Sequence, residues 1–167
     1  NENLASPLRV MLILTALTFV PVMLIATTAF TRIIIVLSML RFALGLQQTP
    51  PNTVLITLAI FLTMFTMAPA VNHMDDHVLQ PYLAKEITDK EAVALATPVI
   101  KSFMIKQTRE KDFALLLKLA KQDKPENLMD IEFKVLVPAF MLSELKSAFQ
   151  IAFVIFIPFL LIDLVVA

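Results

Sequence analysis

The chain has 167 residues, of which 58% are hydrophobic and 17% charged. Soluble domains carry about 45–50% apolar and about 25% charged residues, so this composition indicates a membrane protein. Acidic and basic residues are equal in number, 14 of each, which leaves no net charge to attract nucleic acid. The absence of cysteine and the single glycine exclude disulfide scaffolds, thiol nucleophiles and glycine-rich phosphate loops.

Charge is concentrated in one part of the chain. Positions 73–134 contain 21 of the 28 Asp, Glu, Lys and Arg residues, and the other 105 positions contain seven. This pattern predicts hydrophobic helices over 1–72, a small polar helical insert over 73–134 and a hydrophobic helical region over 135–167. The expected fold class is an all-α integral membrane protein built from proline-kinked helices or hairpins.

The first apolar block, Val10–Thr31, contains 22 residues without a charge. A helix of that length is about 33 Å long, close to a hydrocarbon core about 30 Å thick. Pro21 lies in its middle and should kink the helix rather than end it. Only eight apolar residues separate Arg32 from Arg41, too few to span a bilayer. Positions 33–46 are therefore predicted to continue the helix or return as a hairpin packed on protein.

Two further apolar blocks follow. Thr53–Val71 contains 19 uncharged residues, and Val135–Ala167 is interrupted by three charges and by Pro138 and Pro158. Buried helices of a large soluble protein are the alternative interpretation. They fit poorly, because three such blocks leave too little polar surface to cover them.

The basic residues predict an orientation. Arg32 and Arg41 flank the short connection before the second block, which places that connection in the cytoplasm. The insert then lies on the opposite, extracytoplasmic side. Its ten Lys and Arg residues do not oppose this, because the positive-inside rule weakens for loops of about 60 residues.

The insert shows helical patterns. Thr97-Pro98 predicts an N-cap followed by proline at the first helical position, and Asp112 predicts a second cap, with Pro125 ending that helix. Both helices carry apolar stripes at i, i+3, i+4, i+7 spacing, which need a partner. Either the two helices pack on each other as a small hairpin, or Phe103 and its stripe also face copies of the same chain.

Catalytic and metal-binding patterns are weak. His73 and His77 are four residues apart beside Asp75 and Asp76, a spacing that could bind a metal on one helix face. However, the HEXXH motif and a third ligand at a recognisable spacing are missing from the sequence, as is a GxSxG nucleophile motif. We therefore predict no enzyme, no cofactor, no catalytic residue and no metal site.

The charges inside the apolar blocks are the candidate functional residues. An ionisable side chain near the bilayer centre costs about 2.5–3.5 kcal/mol on the mildest scale and usually faces protein or water. Glu144 and Lys146 are two positions apart and point to different helix faces, so each needs another partner, such as Arg32 or a group on another chain. Asp163 has the same need.

Three uses of these charges remain open at this point. The side chains could lie at the membrane interface and snorkel to water. They could instead form inter-helix or inter-subunit pairs around a polar path. A proton-coupled carrier is the competing use, and it is disfavoured because the sequence shows no matching halves or inverted repeat.

Several motifs resemble the FliP family of flagellar biosynthetic proteins. In the first half they are Thr31-Arg32-Ile33-Ile34-Ile35-Val36, Leu40-Arg41, Ala43-Leu44-Gly45 and Pro50-Pro51-Asn52. In the insert they are Gln80-Pro81-Tyr82, Phe103-Met104 and Gln107-Thr108-Arg109-Glu110. In the third block they are Pro138-Ala139-Phe140, Ser143-Glu144-Leu145-Lys146, Ala148-Phe149-Gln150-Ile151, Ile155-Phe156-Ile157-Pro158-Phe159 and Ile162-Asp163-Leu164-Val165. Injectisome counterparts share the Ala-Leu-Gly and Ser-Glu-Leu-Lys segments, whereas Thr-Arg-Ile-Ile-Ile-Val and Phe-Ile-Pro-Phe favour the flagellar branch.

The resemblance implies a channel-forming, non-enzymatic subunit of the type III export gate, in the bacterial inner membrane at the flagellar basal body. In that family several copies assemble with FliQ and FliR proteins into a helical cone, partly raised out of the bilayer, around a closed channel for unfolded flagellar proteins. The implied partners are copies of the chain, FliQ and FliR, other export-apparatus membrane subunits, the exported substrates and lipid. Phe103 falls in the family's contact region on the periplasmic side. Glu144 and Lys146 fall in a segment expected to pair between subunits.

The family continues past Ile-Asp-Leu-Val into a methionine-rich loop that seals the pore and then a helical hairpin, so the gate residues are expected beyond Ala167. The nine methionines present form no such run and are expected to fill core gaps. The alternative functions are the same role in a virulence-type secretion system, a proton-coupled secondary transporter using Glu144 and Asp163, and a membrane anchor whose insert binds a soluble partner.

Overall fold

The computed structural model of the chain describes residues 2–166, with the side chains of residues 7–166, and this part contains helices and no strand. Its α-helices are α1 (Glu2–Thr27), α2 (Phe30–Ala43), α3 (Asn52–Met74), α4 (Gln80–Leu83), α5 (Asp89–Gln107), α6 (Glu110–Leu119) and α7 (Phe133–Val166). A π-helical turn over Asp75–Leu79 joins α3 to α4, and a 3-10 turn over Leu128–Asp130 precedes α7. The predicted all-α fold is confirmed.

Three helical segments are long and apolar enough to cross a membrane: Pro7–Thr27, Asn52–Leu83 and Phe133–Val166. Side chains of α1 are exposed from residue 7 as far as Ile25, and Pro21 lies within the helix without ending it. At 34 residues, α7 is about 51 Å long, well beyond the thickness of a hydrocarbon core. Its first half therefore remains available to pack on the insert.

Helix α2 lies parallel to α7. Arg32 near the start of α2 contacts Glu144, and the Phe42 ring near its end lies 6.1 Å from the Phe156 ring between centroids. Because these contacts advance in the same direction along both helices, α2 and α7 run the same way. Helix α2 also packs on α3, so the short apolar run after Arg32 is partly buried against other helices, as predicted.

Helix α3 continues further than the apolar block that predicts it. The block ends at Val71, but helical backbone extends from Asn52 through the π-helical turn to Leu83. The junction between residues 72 and 73 therefore lies within a continuous helical segment rather than at a loop.

The predicted cap at Thr97-Pro98 is wrong, because α5 begins earlier. Thr88 and Glu91 form a capping box in which the Thr88 backbone N donates to Glu91 Oε2 at 2.8 Å and the Glu91 backbone N donates to Thr88 Oγ1 at 3.4 Å. The box satisfies two N-terminal donors nine residues before Thr97. Pro98 lies inside the helix, and Thr97 Oγ1 donates to the carbonyl oxygen of Val93.

The predicted cap at Asp112 is also wrong. Helix α6 begins at Glu110, and Asp112 is its third residue and is buried. The helix ends at Leu119, before Pro125, because the chain turns back in a Schellman motif. In that motif the Gln122 backbone N donates to Leu117 O at 3.0 Å, and the Lys121 backbone N donates to Lys118 O at 3.2 Å.

The main core forms where both long insert helices meet α7. Its buried residues are Met104 from α5, Phe113 and Leu117 from α6, Ile131 from the connection, and Val135, Leu136, Ala139 and Phe140 from α7. The Phe103 ring, partly buried, lies 6.0 Å from the Phe140 ring between centroids. The alternative in which α5 and α6 pack on each other as a hairpin is therefore wrong, because both helices contact α7, which supplies apolar surface that they lack on their own.

Three helices end with a residue in the left-handed region. Gly45 follows α2 with φ 71°, Lys85 follows α4 with φ 59°, and Lys121 follows α6 with φ 54°. A side chain in this conformation costs about 1–2 kcal/mol because its Cβ approaches the following carbonyl. Only the first of the three positions is occupied by glycine, which avoids that clash.

We expect Lys121→Gly to raise the free energy of unfolding by about 0.5–1 kcal/mol, because glycine adopts the left-handed conformation without the Cβ clash. Lys118→Gly is the matched control inside α6 and should lower stability by up to about 1 kcal/mol. Denaturant unfolding of both variants in the same detergent measures the difference. A loss of stability in Lys121→Gly would show that the lysine is not strained there.

Candidate functional site

A cluster of polar side chains lies where α2, the turn between α5 and α6, and the first half of α7 meet. We call it the polar seam and define it by Arg32, Gln107, Arg109, Asp112, Ser143, Glu144, Lys146, Ser147 and Gln150. On α7, Ser143, Lys146, Ser147 and Gln150 follow i, i+3, i+4, i+7 spacing and form one polar stripe on an otherwise apolar helix.

The first part of the seam is an ion pair between α2 and α7. Arg32 Nε donates to Glu144 Oε2 at 3.0 Å, with the Glu144 side chain 1% exposed and the Arg32 side chain 24% exposed. Arg32 Nη2 also donates to Gln107 Oε1 at 3.1 Å, so the guanidinium bridges α7 to the end of α5. The other carboxylate oxygen, Glu144 Oε1, is buried without a hydrogen-bond partner among the described residues.

The second part of the seam surrounds Asp112. Its side chain is 1% exposed and accepts hydrogen bonds from Ser143 Oγ at 2.6 Å and from Lys146 Nζ. The Lys146 side chain is 47% exposed. Burial alone would raise the pKa of Asp112. The hydrogen bonds from Lys146 and Ser143, with the positive charges of Lys146 and Arg109, outweigh burial and hold the pKa of this carboxyl below its ordinary value. Asp112 is therefore an anion held by α7.

The third part of the seam is Arg109, in the turn between α5 and α6. Its backbone N donates to Ser143 Oγ at 3.0 Å, and its Nη2 donates to Ser147 Oγ at 3.0 Å and to Gln150 Oε1. The turn therefore binds α7 through both main chain and side chain. These contacts, with the apolar core beside them, fix how the insert sits on α7.

The chemistry of the seam is structural. Each of its two carboxylates pairs with a cation of the same chain, and within residues 7–166 no three His, Asp or Glu side chains are arranged to hold a metal ion. Outside the seam, the rings of His73 and His77 stack with centroids 4.2 Å apart, and His77 Nδ1 lies 3.2 Å from His73 O.

The ion pairs of the seam hold the helices together. Removing one member of a buried ion pair typically costs about 3–5 kcal/mol, because the partner charge is left uncompensated.

The structure brings some of the predicted charges together and separates others. Arg32 meets Glu144, and Lys146 meets Asp112 instead of Glu144, as their spacing on the helix requires. Asp163 lies exposed near the end of α7 and forms no ion pair within the part of the chain that the structure describes. Pairing of these residues between subunits stays a prediction, as does a contact of Phe103 with another copy.

The sequence analysis misses six members of the seam. It assigns Asp112 to a cap and includes Gln107, Arg109, Ser143 and Gln150 only in family motifs, and it gives Ser147 no role. A local signal for the α7 members exists, because polar residues at positions 143, 146, 147 and 150 mark one face of an apolar helix. Their partners lie more than 30 positions away in sequence, and no local pattern identifies those.

We expect Asp112→Asn to lower the melting temperature at pH 7, because the Lys146 ammonium loses its buried counter-ion. In the parent chain, the Asp112 carboxylate of the unfolded state takes up a proton at about pH 3.9, whereas that of the folded state does so only at a lower pH. The stability that Asp112 contributes is therefore lost as the pH falls from that value through the lowered pKa of the folded state. The variant should lack that part of the acid destabilisation. Thermal melts between pH 3 and 7 measure both the lower melting temperature at pH 7 and the smaller loss of stability in acid. Asp123→Asn, at an exposed position, is the control. Identical profiles for parent and Asp112→Asn would contradict the charged pair.

The chain also matches known proteins. The FliP family model covers residues 13–167. The flagellar biosynthetic protein FliP of Bacillus subtilis (strain 168) is 52% identical over 166 residues, which are 99% of this chain and 75% of that protein. FliP of Aquifex aeolicus (strain VF5) is 45% identical over 167 residues, which are 99% of this chain and 70% of that protein. FliP of Pectobacterium carotovorum is 47% identical over 159 residues, which are 95% of this chain and 62% of that protein. The chain therefore belongs to the FliP family of flagellar biosynthetic proteins.

Proposed function

We propose that this flagellar export component is a wall-forming subunit of the export channel. Several copies assemble with FliQ and FliR proteins in the bacterial inner membrane, with residues 73–134 on the periplasmic side, and unfolded flagellar proteins pass through the channel. Membership of the FliP family and three helices able to span a membrane support this proposal. The charges of the seam serve to hold the wall helices in place.

The observation that carries the proposal is the contrast between the two halves of α7. Its first half is buried against α2, α5 and α6, whereas its last turns are exposed, with Leu164, Val165 and Val166 each at least 76% exposed. The apolar side chains of α1 are exposed as well. A protein in water does not maintain exposed apolar surface of this extent, so this surface faces lipid or further protein.

The positions of two carboxylates argue against a proton-coupled carrier. Glu144 and Asp163 are 19 residues apart on one helix, which places them about 28 Å apart along its axis. Glu144 is also bound to Arg32 in the buried seam, whereas Asp163 is exposed. The two side chains therefore cannot form one shared proton site.

Assembly is tested on the chain co-expressed with FliQ-type and FliR-type proteins, extracted in mild detergent and weighed by native mass spectrometry. A discrete complex containing several copies and both partners is the expected result. A folded monomer that stays alone in the presence of both partners would overturn the channel proposal. Transport of a small solute by that monomer in vesicles would favour the carrier.

We expect Glu144→Ala to reduce the yield of the complex and the export of flagellar proteins. The substitution leaves Arg32 partly buried without its counter-ion, a loss of up to about 3–5 kcal/mol that is reduced by the partial exposure of the arginine. The control is Glu110→Ala, which removes an exposed ion pair with Lys124 and should leave the yield of the complex and the export of flagellar proteins unchanged.

Glu144→Gln distinguishes charge from hydrogen bonding in the same assay. The amide keeps an oxygen that can accept from Arg32 but removes the negative charge. Complex yield equal to the parent in both Glu144 variants would contradict a role for the pair in assembly.

A further inference from the structure

The two long insert helices begin in different ways. Helix α5 has its own capping box, formed by Thr88 and Glu91 within the same segment. Helix α6 has no such cap: Arg109 stands at its N-cap, and its side chain makes no capping hydrogen bond. A cap supplies hydrogen-bond acceptors to backbone N–H groups of the first turn, which otherwise have none. The start of α6 must therefore be stabilised from elsewhere.

Ser143 on α7 supplies one half of a capping box, the acceptor for the backbone N–H of the N-cap residue Arg109. The backbone N of Arg109 donates to Ser143 Oγ at 3.0 Å, and the same hydroxyl donates to Asp112 Oδ2 at 2.6 Å. Asp112 is the third residue of α6, the position from which an acidic side chain reaches back to the N-cap N–H in an ordinary capping box. Here the serine hydroxyl lies between the two groups and uses both its donor and its acceptor capacity.

We propose that α6 has a capping box closed through α7, so that the helix is stable only while its first turn is docked on Ser143. Undocking exposes the first turn and removes both α7 partners of the Asp112 carboxylate, Ser143 and Lys146. Helix α5 is independent of this contact because its cap is local. The inference rests on the contacts within one chain and stands whether or not the chain forms a channel wall.

The polar stripe of α7 makes this docking specific in register. Ser143 and Lys146 bind Asp112, and Ser147 and Gln150 bind the Arg109 side chain. A shift of α6 by one residue along α7 would leave a buried carboxylate and a buried hydroxyl without partners, which is unfavourable. Ser143 is thus a positioning residue for α6.

Hydrogen exchange followed by mass spectrometry on the full chain in detergent tests the proposal. In Ser143→Ala, amides of peptides covering residues 110–119 should exchange about 5- to 30-fold faster, the range expected for loss of a cap. Peptides covering the start of α5 should be unchanged. Ser147→Ala is the matched control on the same stripe, because it removes a hydroxyl that binds the Arg109 side chain but not the backbone.

A local cap should make Ser143 dispensable. Arg109→Ser places a serine three residues before Asp112 and so offers an ordinary capping box, whereas Arg109→Ala removes the same side chain without offering one. We expect Ser143→Ala to accelerate exchange of α6 in the Arg109→Ala background and to have little effect in the Arg109→Ser background. This comparison separates capping from general loss of packing.

Three results would overturn the proposal. They are unchanged exchange of α6 in Ser143→Ala, equal acceleration of α5 and α6, and an equal effect of Ser143→Ala in the two Arg109 backgrounds. The second result would assign Ser143 to global stability, and the third would show that the hydroxyl does not act as a cap.

Discussion

The structure depends on the burial of two carboxylates beside the first half of α7, Glu144 on that helix and Asp112 on α6. A carboxylate or ammonium removed from water is costly unless it is paired and hydrogen-bonded. Helix α7 carries Glu144 and Lys146 on different faces, so one partner cannot serve both. Arg32 from α2 and Asp112 from α6 satisfy them separately, and this requirement determines which elements surround α7.

This pairing divides α7 into two functional parts. The first half forms a unit with α2, α5 and α6, held by the apolar core around Phe140 and by the polar seam beside it. The second half and α1 keep apolar surface exposed, which suits contact with lipid or neighbouring chains. A packed first half beside an exposed second half is the arrangement that the proposed assembly into a channel wall requires.

Local sequence patterns predicted the helices better than their ends. Thr97-Pro98 has the composition of a helix start, but Thr88 and Glu91 satisfy two backbone donors reciprocally and begin α5 earlier. Asp112 has the composition of a cap, but it is buried because two α7 side chains bind it. Both errors arise because a capping residue is recognised by type, whereas its role depends on which partner is within reach.

The amino-acid sequence by itself determined the all-α membrane class, the three long apolar segments, the family, and the need of Glu144 and Lys146 for different partners. The family follows from its sequence motifs, and the other three follow from composition, residue spacing and helical periodicity, which are local properties. Only the tertiary structure decided that Arg32, which the sequence offers as one possible partner, pairs with Glu144, that Asp112 pairs with Lys146, and that Ser143 binds the N-cap N–H of α6. Such contacts join residues 31 to 112 positions apart, and their choice depends on how whole helices pack, which no local pattern encodes.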